Sequence, residues 1–418
     1  MKSDLSGFYE LSIEKRLELL KRYCNLSDDE AEVLHETGCL HPHTANMMIE
    51  NVVGTVELPV GVATNFRING HDVLVPMAIE EPSVVAAASH AAKLARPDGF
   101  TSSSDEPLMI GQIQLMGAAH DAKSRILAKR AEITELANSK DSTLIKLGGG
   151  LKDIEIHEYP SSRGRITVVH LIVNVQDAMG ANAVNTMCET VAPFLEDLTG
   201  ARSVLKIISN LAVYRLARAK VTWPKSIGED VIEGILDAYA FASVDKYRCA
   251  THNKGIMNGV DAVMIATGND FRAAEAGAHA YAAVHNKNNG YSPLTHYEKD
   301  ADGNLVGSIE LPIAAGIVGG ATKTNPVAAV AIKIMGAKKA GDLAQVAACV
   351  GLANNFAAMR AMVKEGIQSG HMRLHASNIA HSAGATHEEI IGVVRRMVAE
   401  KKITMAYATE VLHQIRNS

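Results

Sequence analysis

Between Leu108 and Ser209 the chain changes hydrophobic period in a fixed order, and that order restricts its fold more than any other feature. Leu108 to Met116 alternates as a strand does, and Asp121 to Ser139 has helical spacing. Lys152 to Glu158 and Ile166 to Val175 are two further strand patterns, Met179 to Leu198 is a helix, and Val204 to Ser209 is a last strand. The order βαββαβ predicts a ferredoxin-like split βαβ unit, inserted in a longer chain. An insert of about 100 residues is large enough to fold as a domain. Within it, Gln176 to Asn182 (QDAMGAN) joins a strand to the second helix. Small residues there let a phosphate approach free backbone N–H groups at the positive end of a helix dipole. A plain strand-to-helix turn explains the same residues. No GxGxxG occurs in the chain, so an ordinary Rossmann fingerprint is not supported.

The flanking sequence predicts mixed helix and sheet. Residues 12 to 36 read as two short helices, the second opened by the capping pair Ser27 and Glu30. Val56 to Phe66 and Val73 to Met77 read as strands joined at Asn69-Gly70. Glu81-Pro82-Ser83 precedes an alanine-rich helix with proline at its first position, so Glu81 sits at the helix entrance, where a carboxylate offsets the dipole. Residues 211 to 248 look helical, with Trp223-Pro224 interrupting. Val260 to Ala266 (VDAVMIA) reads as a buried strand, with Lys254 in the loop before it and Asp270 just past its end. That lysine and aspartate make either a salt bridge or, in a water-poor site, a stabiliser for a developing oxyanion. Asn258 and Asn269 flank them. A hairpin is expected around Asp300 to Gly303, a glycine-rich loop at Gly316 to Thr324, a helix over 339 to 368, and two short amphipathic helices from Thr386 onward.

Composition narrows the function classes. A chain of 418 residues exceeds one typical core, which implies two or three domains. The formal net charge of −5 argues against a nucleic-acid surface. The N-terminal residues lack the apolar core of a signal peptide, and no uninterrupted apolar run is long enough to span a bilayer, so a cytoplasmic protein without a membrane partner is expected. The five cysteines have no CxxC pair, which suits reduced thiols. His371 and His375 are four apart and would face one way on a helix, yet no HExxH and no third ligand accompany them; no metal is expected.

Several segments are worded alike with one family: IENVVGTVELP, EEPSVVAAAS, LGGGLKDIE, DAMGANAVNTM, THNKGIMNGVDAVMIATGND, GIVGGATKT and GHMRLHASNIA, in one order from about residue 49 to 380. They resemble the 3-hydroxy-3-methylglutaryl-CoA reductases, in the soluble class II form of bacteria and some archaea. The resemblance implies an α+β fold in which a large substrate domain (1–107 and 213–368) carries a non-Rossmann cofactor domain (108–212) and ends in a helical flap (369–418). It implies catalytic roles for Glu81, Lys254, Asp270 and His371, with Asp270 bridging Lys254 and Glu81, and His371 protonating the departing CoA thiolate. Ser83, Arg248 and Asn258 map to substrate contacts; for Arg248 a guanidinium fork on a carboxylate fits the chemistry, as would a surface salt bridge. Asp177, Met179, Gly180, Ala181 and Asn182 map to the nicotinamide site. Asp141 matches a position where relatives that prefer NADH carry an acid, suited to ribose hydroxyls and repelling a 2′-phosphate; by itself an aspartate in SKDST is as readily a solvated loop residue. The implied reaction takes HMG-CoA and two reduced nicotinamides, NADH before NADPH, to mevalonate and CoA, or the reverse. The implied assembly is a homodimer with shared sites, extending to hexamers. Asn354, in GLANN, departs from the GLAQN of the family and puts one polar contact in doubt.

Overall fold

The computed structural model describes residues 2–286, 290–364 and 376–417. Two sheets organise it. The first contains β1 (Val60–Ile68), β2 (His71–Ala78), β3 (Phe100–Ser104), β8 (Leu216–Trp223), β9 (Thr295–Lys299) and β10 (Leu305–Pro312), in the order β2-β1-β3-β8-β10-β9. The second contains β4 (Leu108–Met116), β5 (Gly150–Tyr159), β6 (Ile166–Asn174) and β7 (Arg202–Ser209), in the order β5-β6-β4-β7. Every pairing in this second sheet is antiparallel. With helices Ala122–Ala128, Arg130–Asn138 and Ala181–Thr199 between the strands, the connectivity is the expected βαββαβ. Its own core joins Ile113, Val169 and Leu171 of the strands to Ile133, Val184 and Leu195 of the helices.

The first sheet supports most of the remaining helices. Trp223, at the end of β8, stacks on Phe356 with ring centroids 3.7 Å apart, and its indole N–H donates to the Ala91 carbonyl at 3.0 Å. One buried side chain thereby ties the sheet to helices Val84–Leu94 and Ala340–Lys364. The latter is long and apolar enough to cross a membrane by length and composition. It is instead the central core helix, with Leu343, Val350, Leu352 and Phe356 fully buried.

Four local expectations are corrected. The run Val260 to Ala266 is not a strand but the C-terminal half of helix Lys246–Ala266, and Lys254 lies mid-helix rather than in a loop. A short apolar run reads the same in either state, and this helix is buried over most of its circumference, so it lacks the one-sided pattern that marks a surface helix. Residues 211 to 248 are not helical throughout, because β8 alternates Ala217, Ala219, Val221 and Trp223 inward. The Leu, Ala, Arg and Lys of LARAKVTW are good helix formers, and tertiary pairing overrides that preference. The spacing over Asp121 to Ser139 resolves into two helices that meet at Lys129. Pro82 does not open the alanine-rich helix, which starts at Val84 behind Ser83.

Helix Lys246–Ala266 crosses helix Ala340–Lys364 through glycines. A Cβ on Gly259 would sit 2.8 Å from the Val350 carbonyl oxygen, and one on Gly351 would sit 2.9 Å from Val260. Gly259→Ala should therefore destabilise the fold by about 1–3 kcal/mol despite the better helix propensity of alanine. Denaturant unfolding checks this; an unchanged midpoint would mean the helices can part at no cost.

The C-terminal helices His387–Ala399 and Met405–Arg416 form a small core of their own around Val393, Met397, Ala408 and Val411. The first opens with the expected capping box of Thr386 and Glu389.

Candidate active site

Lys254 lies on the one stripe of helix Lys246–Ala266 that is not buried, with Asn258 one turn further on. Its Nζ donates to Glu81 Oε2 at 2.9 Å, and Asn258 Nδ2 donates to the same oxygen at 3.4 Å. Glu81 comes from the segment just before helix Val84–Leu94. The side chains of Lys254 and Glu81 are 59% and 37% exposed. An ion pair that open contributes about 0–1 kcal/mol to stability, so folding is not a sufficient reason for it. What it offers is a cation, a carboxyl group and an amide at one accessible place, which is what a developing oxyanion and a proton transfer require. Ser83, two residues on, has φ 75° and ψ −16°, a left-handed conformation that costs a non-glycine residue energy and is found preferentially at functional sites.

The guanidinium of Arg248 has no partner among the described residues, and burial lowers its pKa. It lies six residues before Lys254 and about 9 Å along the helix axis. Asn354 is buried and its Nδ2 has no hydrogen-bond partner.

Asp270 is elsewhere. It caps helix Phe271–Val284 by accepting from the Ala273 N–H at 3.1 Å and pairs with Arg272 at 3.2 Å. The rise from Lys254 to Ala266 alone is about 18 Å, farther than a lysine and an aspartate side chain together can reach. Within one chain the expected Lys254–Asp270–Glu81 bridge is not made.

Asp270 instead stands beside the QDAMGAN turn. The neighbouring Asn269 Oδ1 accepts from the Gly316 N–H at 2.7 Å, and a Cβ on Gly316 would lie 2.6 Å from the Met179 nitrogen. Asp177 fixes the turn through its carboxylate, which accepts from the Ala340 N–H at 2.8 Å, and its carbonyl, which accepts from the Ile317 N–H at 2.9 Å. Arg215, which sequence reasoning missed, is buried beneath and donates to the carbonyls of Ala178, Met179 and Ala315. Burial pushes its pKa down to about 10, with Asp177 acting against the shift. Gly180 adopts φ 105°, and a side chain there would strike Val175, so the turn requires glycine. The helix that follows begins at Ala181 and Asn182 with no side-chain cap, which leaves N–H groups of its first turn for a ligand. The residues present thus fit a phosphate-bearing cofactor.

Asp141 caps the short helix Ser142–Lys146 by accepting from the Leu144 N–H at 2.8 Å. That helix leads into the glycine run, where Gly149 lies against Asn174 and Gly148 faces the Gln176 side chain. Asp141 and the QDAMGAN turn therefore occupy one end of the second sheet. His371 and His375 lie outside the described residues. A cavity of about 770 Å³ on the first sheet is lined by Arg218, Tyr239, His296 and Glu310 and includes none of Glu81, Lys254 or Asp270.

A family profile described as hydroxymethylglutaryl-coenzyme A reductase matches residues 12–376. The chain is 57% identical over its whole length to a 3-hydroxy-3-methylglutaryl-coenzyme A reductase of Archaeoglobus fulgidus, covering 96% of that protein. It is 34% identical to a probable reductase of the same name from Borreliella burgdorferi, over 80% of this chain and 78% of that one. Among solved structures, a 3-hydroxy-3-methylglutaryl-coenzyme A reductase of Streptococcus pneumoniae superposes with a TM-score of 0.82 at 39% identity, covering 98% of this chain and 99% of that one. A class II reductase of the same organism, bound to NADPH in open conformations, superposes with a TM-score of 0.80 at 40% identity, covering 97% of this chain and all of that one. With the fold and the lysine–glutamate pair in place, these likenesses show that the chain belongs to the hydroxymethylglutaryl-coenzyme A reductase family, in its class II form.

Proposed function

We propose that the reduction of HMG-CoA to mevalonate and CoA takes place between two copies of this chain. One copy supplies Lys254, Glu81 and Asn258, and the other supplies Asp270 and the cofactor unit, residues 108–212. The observation that carries this reading is the separation of those two groups by the length of helix Lys246–Ala266. Two reduced nicotinamides, bound in turn at the cofactor unit, would supply the hydrides, one for the thioester and one for the aldehyde that follows. Lys254 stabilises the oxyanion formed in each reduction. Glu81 or Lys254 provides the proton for the last alkoxide, and Asp270 from the second copy completes their hydrogen bonding and adjusts their proton affinity. Arg248 and Ser83 hold the substrate, Arg248 through its carboxylate. His371 protonates the CoA thiolate, and residues 369–418 form the flap that closes over the site. Residues 1–107 and 213–368 make up the substrate domain. The enzyme works in the cytoplasm as a homodimer, assembled further into hexamers. In the reverse direction the same residues oxidise mevalonate.

The preferred cofactor is NADH. Support comes from Asp141, whose carboxylate stands at the cofactor end of the second sheet, where it can accept from ribose hydroxyls and repel a 2′-phosphate. Initial rates with HMG-CoA, using NADH and NADPH in parallel, test this. Wild type should favour NADH, and Asp141→Gly should erode that preference by about tenfold, chiefly through KM for NADPH. Turnover that favours NADPH from the outset, the cofactor bound by the S. pneumoniae relative, would overturn the assignment of Asp141 and leave the reductase reading intact.

A further inference from the structure

The face of the second sheet turned away from its helices carries a row of polar side chains. Ile154 and Ile156 of β5 and Val169 and Leu171 of β6 point into the core, so Glu155, His157 and His170 point the other way. Register brings them together: Glu155 pairs with His170 across β5 and β6, and His170 pairs with Gln112 of β4. Glu155 Oε2 lies 3.2 Å from His157 Nε2 and 4.0 Å from His170 Nδ1. The two imidazole rings are tilted, with centroids 4.5 Å apart. One ligand atom from each of the three residues lies within 4.8 Å of the other two, and no other set of His, Cys, Asp or Glu converges so among the described residues.

Two imidazoles and a carboxylate on one face are the donor set of a divalent transition metal such as Zn²⁺, with a fourth position left open. Tetrahedral bonds of about 2.0–2.2 Å hold ligand atoms about 3.3–3.6 Å apart. The 3.2 and 4.0 Å separations fall on either side of that spacing, so small side-chain rotations close the set around an ion. The remaining polar atoms are held in turn. Tyr214 donates its hydroxyl to Glu155 Oε1 at 2.6 Å, which leaves Oε2 for the ion. The Gln112 amide meets His170 Nε2 at 2.9 Å. With the amide oxygen turned to that nitrogen, Gln112 accepts from Nε2–H and His170 Nδ1 keeps its lone pair. Partners of this kind orient the ligands of metal sites. A hydrogen bond alone explains His157 beside Glu155. It does not explain a second ring nitrogen approaching the same oxygen beyond hydrogen-bond reach.

We propose that Glu155, His157 and His170 bind a divalent transition-metal ion of the Zn²⁺ type on the open face of the second sheet, with Tyr214 and Gln112 orienting the ligands. The site stands apart from the reduction. The QDAMGAN turn follows Asn174 at the end of β6, and His170 precedes Asn174 by about 13 Å of strand. An ion at Glu155, His157 and His170 ties β5 to β6 and stabilises the unit that carries the turn. Hydride transfer does not require it.

The test strips the full-length protein with a chelator, removes the chelator, and titrates with Zn²⁺, using Co²⁺ in parallel for its visible absorption. Wild type should bind about one equivalent per chain more tightly than any other, and Zn²⁺ should raise its thermal midpoint. All three ligand side chains reach solvent, so single substitutions leave the fold in place. His157→Ala and His170→Ala should each lose the tight equivalent and the gain in midpoint. Glu155→Gln keeps an acceptor for the Tyr214 hydroxyl, so the loss expected there reports the carboxylate charge. Tyr214→Phe should weaken binding by about tenfold. Turnover of HMG-CoA without added metal should stay within about twofold of wild type in every variant. Wild type that binds no tight equivalent overturns the proposal. So does a tight equivalent that persists unweakened in any of the three ligand variants, which would place the ion at other side chains.

Discussion

Lys254→Ala should lose turnover of HMG-CoA by at least about a thousandfold, in line with the loss of a donor aimed at an oxyanion, while its thermal midpoint stays close to that of wild type. The two halves of this expectation have one cause. Lys254 projects from an exposed stripe and its pair with Glu81 is more than a third exposed on both sides, so removing it costs the fold about 0–1 kcal/mol. The same lysine is the sole cation bonded to Glu81 among the described residues. Asn258, the other donor to that oxygen, is neutral. The effect should fall on kcat with little change in KM, because the oxyanion does not exist in the bound substrate. A folded Lys254→Ala enzyme with substantial kcat would assign that role elsewhere. Activity lost together with a large fall in midpoint would make the lysine structural.

The sequence was most informative where one face of an element meets solvent. The strands of the second sheet fall close to their expected limits, and β4 at Leu108–Met116 matches them at both ends, because alternation is clear when only one face is buried. The lysine helix was misread for the opposite reason. It is enclosed on most sides, and the glycines that let it approach helix Ala340–Lys364 weaken any helical signal. The site lies further from local reading. Glu81 and Lys254 are 173 residues apart, and no spacing rule joins them; the resemblance marked both as functional, and the fold makes them partners. Asp261 was visible as the one charge in an apolar run. Arg215 gave no signal, since a buried guanidinium bonded to backbone carbonyls leaves no pattern in the residues that hold it.

The placement of Asp270 carries the largest consequence. Asp270→Asn keeps the cap on helix Phe271–Val284, because an asparagine oxygen also accepts from the Ala273 N–H. The variant should therefore fold, and as a homodimer it should be as inactive as Lys254→Ala. Neither mutation is confined to one site: in a shared arrangement, each chain contributes its lysine to one site and its aspartate to the other.

That arrangement can be tested by unfolding Lys254→Ala and Asp270→Asn chains together in equal amounts, refolding them, and measuring HMG-CoA-dependent cofactor oxidation. In a hybrid dimer one site receives both altered residues and the other receives an intact Lys254 and an intact Asp270. Random pairing makes half of the dimers hybrids, so the mixture should recover about a quarter of wild-type activity, from two parents that have almost none. A mixture as inactive as its parents, with hybrid dimers demonstrated by differential tagging, would place Lys254 and Asp270 in the same copy and contradict the account.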